Sequence, residues 1–201
     1  MIRTRKNPFH NTNVYIDFDN DDMLDVNKNP FIVIYETYRA PLQIMLDDSN
    51  TEKRDFIEKW GFKKMRTCYS LEVSKEDMLE HCERNINLKC AKEGDESYER
   101  LAKLYYDYYK KTHEAINPLT VDFNEFKEVL TDTVYYNDDD SDIELAFVEE
   151  NEIAYVYVSS LSKASGFYQS VLEKLFDEYE EIFFEADDVD ESAMAWRISL
   201  T

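Results

Sequence analysis

Ala154-Tyr-Val-Tyr-Val158 reads as a strand, and Gly166 opens a helix with Phe167, Val171, Leu172, Leu175, Phe176 and Tyr179 on its apolar side. Between them runs a short polar loop that includes Ser159, Ser160, Lys163, Ala164 and Ser165. A strand that feeds a helix N-terminus through small residues aims several backbone N–H groups at one point. The helix dipole adds partial positive charge there. Together these favour a pyrophosphate or another anion. Lys163 is the only side-chain cation of the loop. An ordinary strand-to-helix turn uses the same residue types, so the loop alone leaves both readings open.

Other chemistry is less well supplied. Asp138, Asp140, Asp142 and Glu149 fall at positions 1, 3, 5 and 12 of a calcium loop, but Ile143 stands at position 6, where the sharp turn needs glycine. A strand, not a helix, follows, so a solvated acidic loop is the expectation. Asp17, Asp19 and Asp21 fit the same pattern worse, with Asp22 at position 6 and Lys28 at position 12. His81 and Cys82 are adjacent, so their side chains diverge on any regular element. His113 lies on a predicted helix with no Ser or Cys placed beside it. Three glycines in the chain could hardly supply a nucleophile elbow, a Walker loop or a dinucleotide fingerprint. Tyr98, Tyr105, Tyr108 and Tyr109 follow helical spacing, which reads first as core with hydroxyls at its rim.

The composition bounds the partners. Among 201 residues, 44 are Asp or Glu and 23 are Lys or Arg, a net charge of −21. A field of that sign repels phosphate backbones and anionic lipid, so neither nucleic acid nor membrane is an expected partner. Cationic partners are favoured: amines, polyamines or basic protein surfaces. With 15 Tyr, 12 Phe and 2 Trp the chain is too aromatic to be disordered. Its longest apolar runs, such as Phe31-Ile-Val-Ile-Tyr35, have strand length. No targeting signal follows the basic start at residues 1–6, and Cys68, Cys82 and Cys90 are odd in number and irregularly spaced. A reducing cytoplasm is the expected compartment.

The elements that must position these residues form two stretches. The first has strands at 14–18, 31–35 and 42–46, the last two as a hairpin, then a helix at 51–60 stopped by Gly61 and a strand at 62–73. A charged, helical connector follows at 74–84. The second stretch has a strand at 86–90 and a long helix capped by Asp95 and ended by Asn117-Pro118. A short helix opens at Asp122. Strands at 143–148 and 154–158 turn at Glu149-Glu-Asn-Glu152. After the helix at Gly166 come a strand at 182–185 and a helix at 191–200. Strand, Asp-Asp, helix occurs twice, at Asp47-Asp48 and at Asp187-Asp188, which suggests a duplicated fold trimmed differently in its copies.

From residue 86 onward this order resembles the GNAT family of N-acetyltransferases. That family's coenzyme A pyrophosphate signature is Gln/Arg-x-x-Gly-x-Gly/Ala before a helix with paired aliphatics. Lys163-Ala-Ser-Gly166-Phe-Tyr168 falls on it, with Val171-Leu172 as the pair. Lys163 is a like-charge substitute for Arg, and Tyr168 stands in place of a small residue. Asp190-Glu-Ser-Ala193 matches the start of a second signature, Asn-x-x-Ala, and Trp60-Gly61-Phe62 matches the end of the first copy's. The family's Tyr general acid is replaced by Ile57 in one half and Arg197 in the other.

The resemblance implies an α+β fold with a central mixed, mostly antiparallel sheet flanked by helices. It would comprise an abbreviated half at 1–80 and a second half at 81–201 that keeps the cofactor cleft. It implies acetyl transfer from acetyl-CoA to a primary amine, either a small molecule or a peptide, with a homodimer allowed. Val158 N–H would polarise the acetyl carbonyl. Ser159, Ser160, Lys163, Ala164, Ser165, Gly166, Phe167 and Tyr168 would hold the pantetheine and pyrophosphate. Glu144, Glu149 and Glu185 are candidates for the proton acceptor. The rival is a catalytically inactive acetyltransferase-like binding protein or an acidic interaction protein. The second half lacks its last strands, so the strand at 62–73 is expected to fill that sheet edge, because an open edge is a liability.

Overall fold

A computed structural model describes residues 2–23, 27–77, 86–139 and 142–198. His81, Cys82, Asp140, most of the connector at 74–84, the boundary between residues 80 and 81 and the end of the last helix lie outside the described residues. The chain forms two compact units, residues 1–65 with 113–122, and residues 66–112 with 123–201. No described helix is long and apolar enough to cross a membrane.

The first unit holds β1 (Arg3–Arg5), β2 (Val14–Asp17), α1 (Ile32–Tyr38), β3 (Leu42–Gln43) and α2 (Thr51–Lys59). Its three-stranded sheet has the order β1-β2-β3, with β1 antiparallel and β3 parallel to β2. Phe18, Phe31, Phe56, Trp60 and Phe62 cluster edge-to-face under it. Residues 113–122 belong to this unit. Asn117 donates to Tyr15 Oη (2.7 Å), and Thr120 N–H donates to the Phe9 carbonyl (2.8 Å).

Two expectations fail here. Residues 31–35 are not a strand; they enter α1. Five apolar residues fit either element, and the punctuation decides. The Asn29 side chain accepts the Phe31 N–H, Arg39 takes the left-handed conformation as C-cap, and Pro41 follows. The proposed hairpin therefore does not exist. Residues 42–46 keep only two residues of ladder, and Ile44 packs on the aromatic cluster. Gly61 does end α2, at φ +92°.

The second unit holds β4 (Cys68–Ser74), β5 (Lys89–Lys92), α3 (Glu96–His113), α4 (Phe123–Lys127), β6 (Thr133–Asn137), β7 (Glu144–Glu149), β8 (Glu152–Val158), α5 (Ala164–Leu175), β9 (Glu181–Asp187) and α6 (Glu191–Ile198). The mixed six-stranded sheet has the order β4-β9-β8-β7-β6-β5, and only β8 and β9 run parallel. On one face Val156, Val158 and Phe184 pack against Phe167, Tyr168, Leu172 and Trp196 of α5 and α6. On the other face α3 sets Tyr98 and Tyr105 on Phe147, and Tyr108 on Tyr157. The β7–β8 hairpin closes at Glu149 and Glu152, with Glu150 at φ +52°.

β4 fills the edge beside β9, antiparallel over seven residue pairs, and buries Val73 in the second core. The strand is shorter than the expected 62–73. Cys68 lies opposite Asp187, the last residue of β9, and one further bond, from the Asp188 N–H to the Thr67 carbonyl (2.9 Å), follows before the pairing ends.

Candidate cofactor cleft

The cleft begins with one extra residue in β8. Phe147 pairs with Tyr155 and Val148 with Ile153, so Ala154 has no opposite number in β7. Such a bulge bends its strand and increases the local twist. The parallel ladder between β8 and β9 covers only Glu152 with Phe183 and Ile153 with Phe184. It ends where the bulge begins, and the strands part into a fork beyond it.

The N-terminus of α6 packs beside this fork and reaches Val158 through Ser192. Asp190 caps the helix, its Oδ1 accepting the Ala193 N–H (3.0 Å). The same oxygen accepts the Tyr108 hydroxyl from α3 (2.6 Å). Ser192, 2% exposed, engages three elements at once. Its N–H donates to Tyr108 Oη (3.3 Å), its carbonyl accepts from Tyr168 Oη of α5 (2.8 Å), and its Oγ accepts the Val158 N–H of β8 (3.2 Å). Burial, reinforced by the Asp190 charge, raises the Tyr108 and Tyr168 hydroxyls well above the usual phenol range, so both stay protonated donors.

The loop toward α5 is tighter than its sequence suggests. Ser160 is extended, Leu161–Lys163 form a 3-10 turn, and α5 starts at Ala164 rather than at Gly166. The Lys163 N–H donates to the Ser160 carbonyl (3.2 Å) and the Ala164 N–H to that of Leu161, so two of the expected anion donors serve the turn itself. Ser159 ties the loop to the start of β7, its N–H and Oγ bonding the Ile143 carbonyl and N–H (both 2.9 Å). Lys163 is exposed and pairs with Asp142 (2.7 Å). Ser165 is exposed, whereas Ala164, Gly166, Phe167 and Tyr168 are buried. Tyr168 turns away from the loop and stacks on Trp196, with 4.4 Å between ring centroids. The structure thus brings Val158 and Tyr168 together at the fork, and Ser160, Lys163 and Ser165 at the rim of the turn.

The candidate carboxylates are dispersed. Glu144 is sealed within the sheet, accepting from Asn137 Nδ2 (2.8 Å). Glu149 is exposed at the end of β7. Glu185 is the first residue of β9 past the last ladder pair, is exposed, and lies within 3.5 Å of the Cys68 sulfur. Arg197 lays its guanidinium over the Tyr69 ring at 3.8 Å. In the acidic loop Asp138 binds Lys89 and Arg100, and Asp139 binds Lys89. Among the described residues no three potential ligands gather as a metal site.

No protein-family model matches the chain, and no curated protein matches it.

Tyr108, Asp190 and Ser192 were not among the site residues expected from sequence. The Asp190-to-Ala193 spacing does signal a helix cap. No local signal could announce that Tyr108, far upstream, shares that cap.

Proposed function

We propose that the chain is built on the acetyltransferase plan and takes acetyl-CoA at the β8–β9 fork, for transfer to a primary amine. The observation that carries this reading is the fork itself: a parallel strand pair parted by a bulge, with a backbone N–H held by nothing more permanent than a serine hydroxyl. The order of elements from β5 to α6 supports it, as does Tyr168, whose ring leaves the first turn of α5 clear.

In this scheme the neutral amine attacks the thioester carbonyl. The N–C bond forms as the C–S bond breaks, and the Val158 N–H stabilises the oxyanion between. The amine proton passes to a carboxylate or water, for which exposed Glu185 at the mouth of the fork is the better placed acid–base group. The leaving thiolate takes a proton from solvent, because Arg197 is committed to Tyr69 and no tyrosine stands in its place. The rim formed by half-buried Ser160 and exposed Lys163 and Ser165 would meet the pyrophosphate once the cofactor displaces Asp142 from Lys163. The acidic surface suits a cationic acceptor.

A second reading is a catalytically silent binding or acidic interaction protein. It is favoured by Val158 N–H and Lys163 both being engaged within the chain. The thermal midpoint with and without acetyl-CoA separates the two. Ligand at a hundredfold excess over Kd stabilises the native state by about 2.7 kcal/mol. Transfer predicts a rise that weakens in Lys163→Glu, together with thiol release in a panel of amines. Silence toward acetyl-CoA at millimolar concentration, with salt-sensitive binding to basic proteins, supports the second reading instead.

A further inference from the structure

We infer that Ser192 is a latch, its hydroxyl occupying the acyl-carbonyl position of the fork until a thioester displaces it. The inference rests on the acetyl-CoA reading above and adds the regulation of that site.

Three polar groups of one buried residue are held by three different elements, and they differ in freedom. The Ser192 N–H on Tyr108 and its carbonyl under Tyr168 fix the backbone. Asp190 fixes the helix start beside it, through Ala193 and Tyr108. Only the hydroxyl can leave, by rotation about one single bond, and only the Val158 N–H is released when it does. Burial makes the release conditional, because a donor left unpaired at a site this enclosed is costly. The hydroxyl therefore swings away only when another acceptor arrives. A thioester carbonyl is such an acceptor, whereas a free thiol is not. The latch thus leaves ligands without a carbonyl untouched, and taxes the thioester alone, which must displace the hydroxyl from Val158.

Calorimetric titration of acetyl-CoA and of coenzyme A into the full chain and into Ser192→Ala tests this. The variant should bind acetyl-CoA about tenfold more tightly than the parent, the worth of one hydrogen bond no longer competed for, with coenzyme A within about twofold. Equal affinity of both chains for acetyl-CoA overturns the latch and leaves the cofactor reading intact. Failure of both chains to bind either ligand at millimolar concentration overturns the cofactor reading, and the latch with it. Should Ser192→Ala not fold, the Val158 amide of the parent chain is followed by nitrogen-edited NMR. Saturating acetyl-CoA should move its resonance and coenzyme A should not; an unmoved resonance in bound protein overturns the latch.

Discussion

The first unit and the second each contain a strand, an Asp-Asp pair and a capped helix, although β3 spans two residues and stops short of its Asp pair while β9 spans seven and runs into its own. β3 runs parallel to β2 over two residue pairs, as β9 does to β8. Asn50 caps α2 by accepting the Lys53 N–H (3.1 Å), and Asp190 caps α6 by accepting the Ala193 N–H (3.0 Å). In each, the cap stands two residues after the Asp-Asp pair. They differ in what surrounds the cap. Asn50 is half-buried and its side chain serves α2, whereas Asp190 is buried and also receives Tyr108. One frame therefore yields a plain helix start in one unit and a cross-linked junction in the other. The difference lies in the side chains that converge on it.

The largest expected effect is at the junction. Asp190→Ala removes a cap and leaves the half-buried Tyr108 hydroxyl without its acceptor, so denaturant unfolding should show a loss of about 2–3 kcal/mol. Asp190→Asn keeps an oxygen for both donors and should recover most of that loss, because the convergence of Tyr108 on the cap is retained. Asn50→Ala should cost about 1 kcal/mol, an ordinary cap value. Equal losses at Asn50 and Asp190 would erase the distinction between the units.

Smaller effects test the flank of the same junction. Arg197→Ala removes the cation over Tyr69 and should cost about 0.5–1 kcal/mol. Cys68, beside Glu185, has its thiol pushed up to about 12 by burial and by the Asp187 and Glu185 carboxylates, from an ordinary 9.0. The folded state thus holds its proton longer than the unfolded one. The associated stability is complete below about pH 9 and is lost as pH climbs toward 12. Alkylation of Cys68, located by mass spectrometry, should stay slow at pH 8.5 and accelerate past pH 10. A rate at pH 8.5 equal to that of a free cysteine would show the carboxylates to be without influence.

Regular patterns were the legible part. The period of α3, the Gly61 stop and the Glu149–Glu152 turn follow from residue spacing and turn chemistry, whereas the open edge beside β9 is expected only from the family resemblance. α1 was not legible by periodicity because Phe31-Ile-Val-Ile-Tyr35 satisfies two periods at once, and the flanking Asn29, Arg39 and Pro41 settle it. Gly166 suggests a helix start, but Leu161–Lys163 already coil and α5 begins at Ala164. At the cleft, Val158 and Tyr168 are named only by the family resemblance, as residues that would line the cofactor. Their partner Ser192 could not be named, because it depends on where a bulge sends β8, and Ala154 carries no mark of being the extra residue.

β4 also sets a timetable for synthesis. Its seven ladder partners in β9 lie more than a hundred residues further along the chain. A ribosome adding about 5–20 residues per second leaves the strand waiting for several seconds. During that interval Leu71 and Val73 have no sheet to join, and closing so long a loop is slow once β9 arrives. The second unit cannot complete its core until residues 181–187 have emerged. The nascent protein therefore carries an apolar strand that chaperones can hold and that a neighbouring chain can capture, and the crowding of polysomes becomes a determinant of yield.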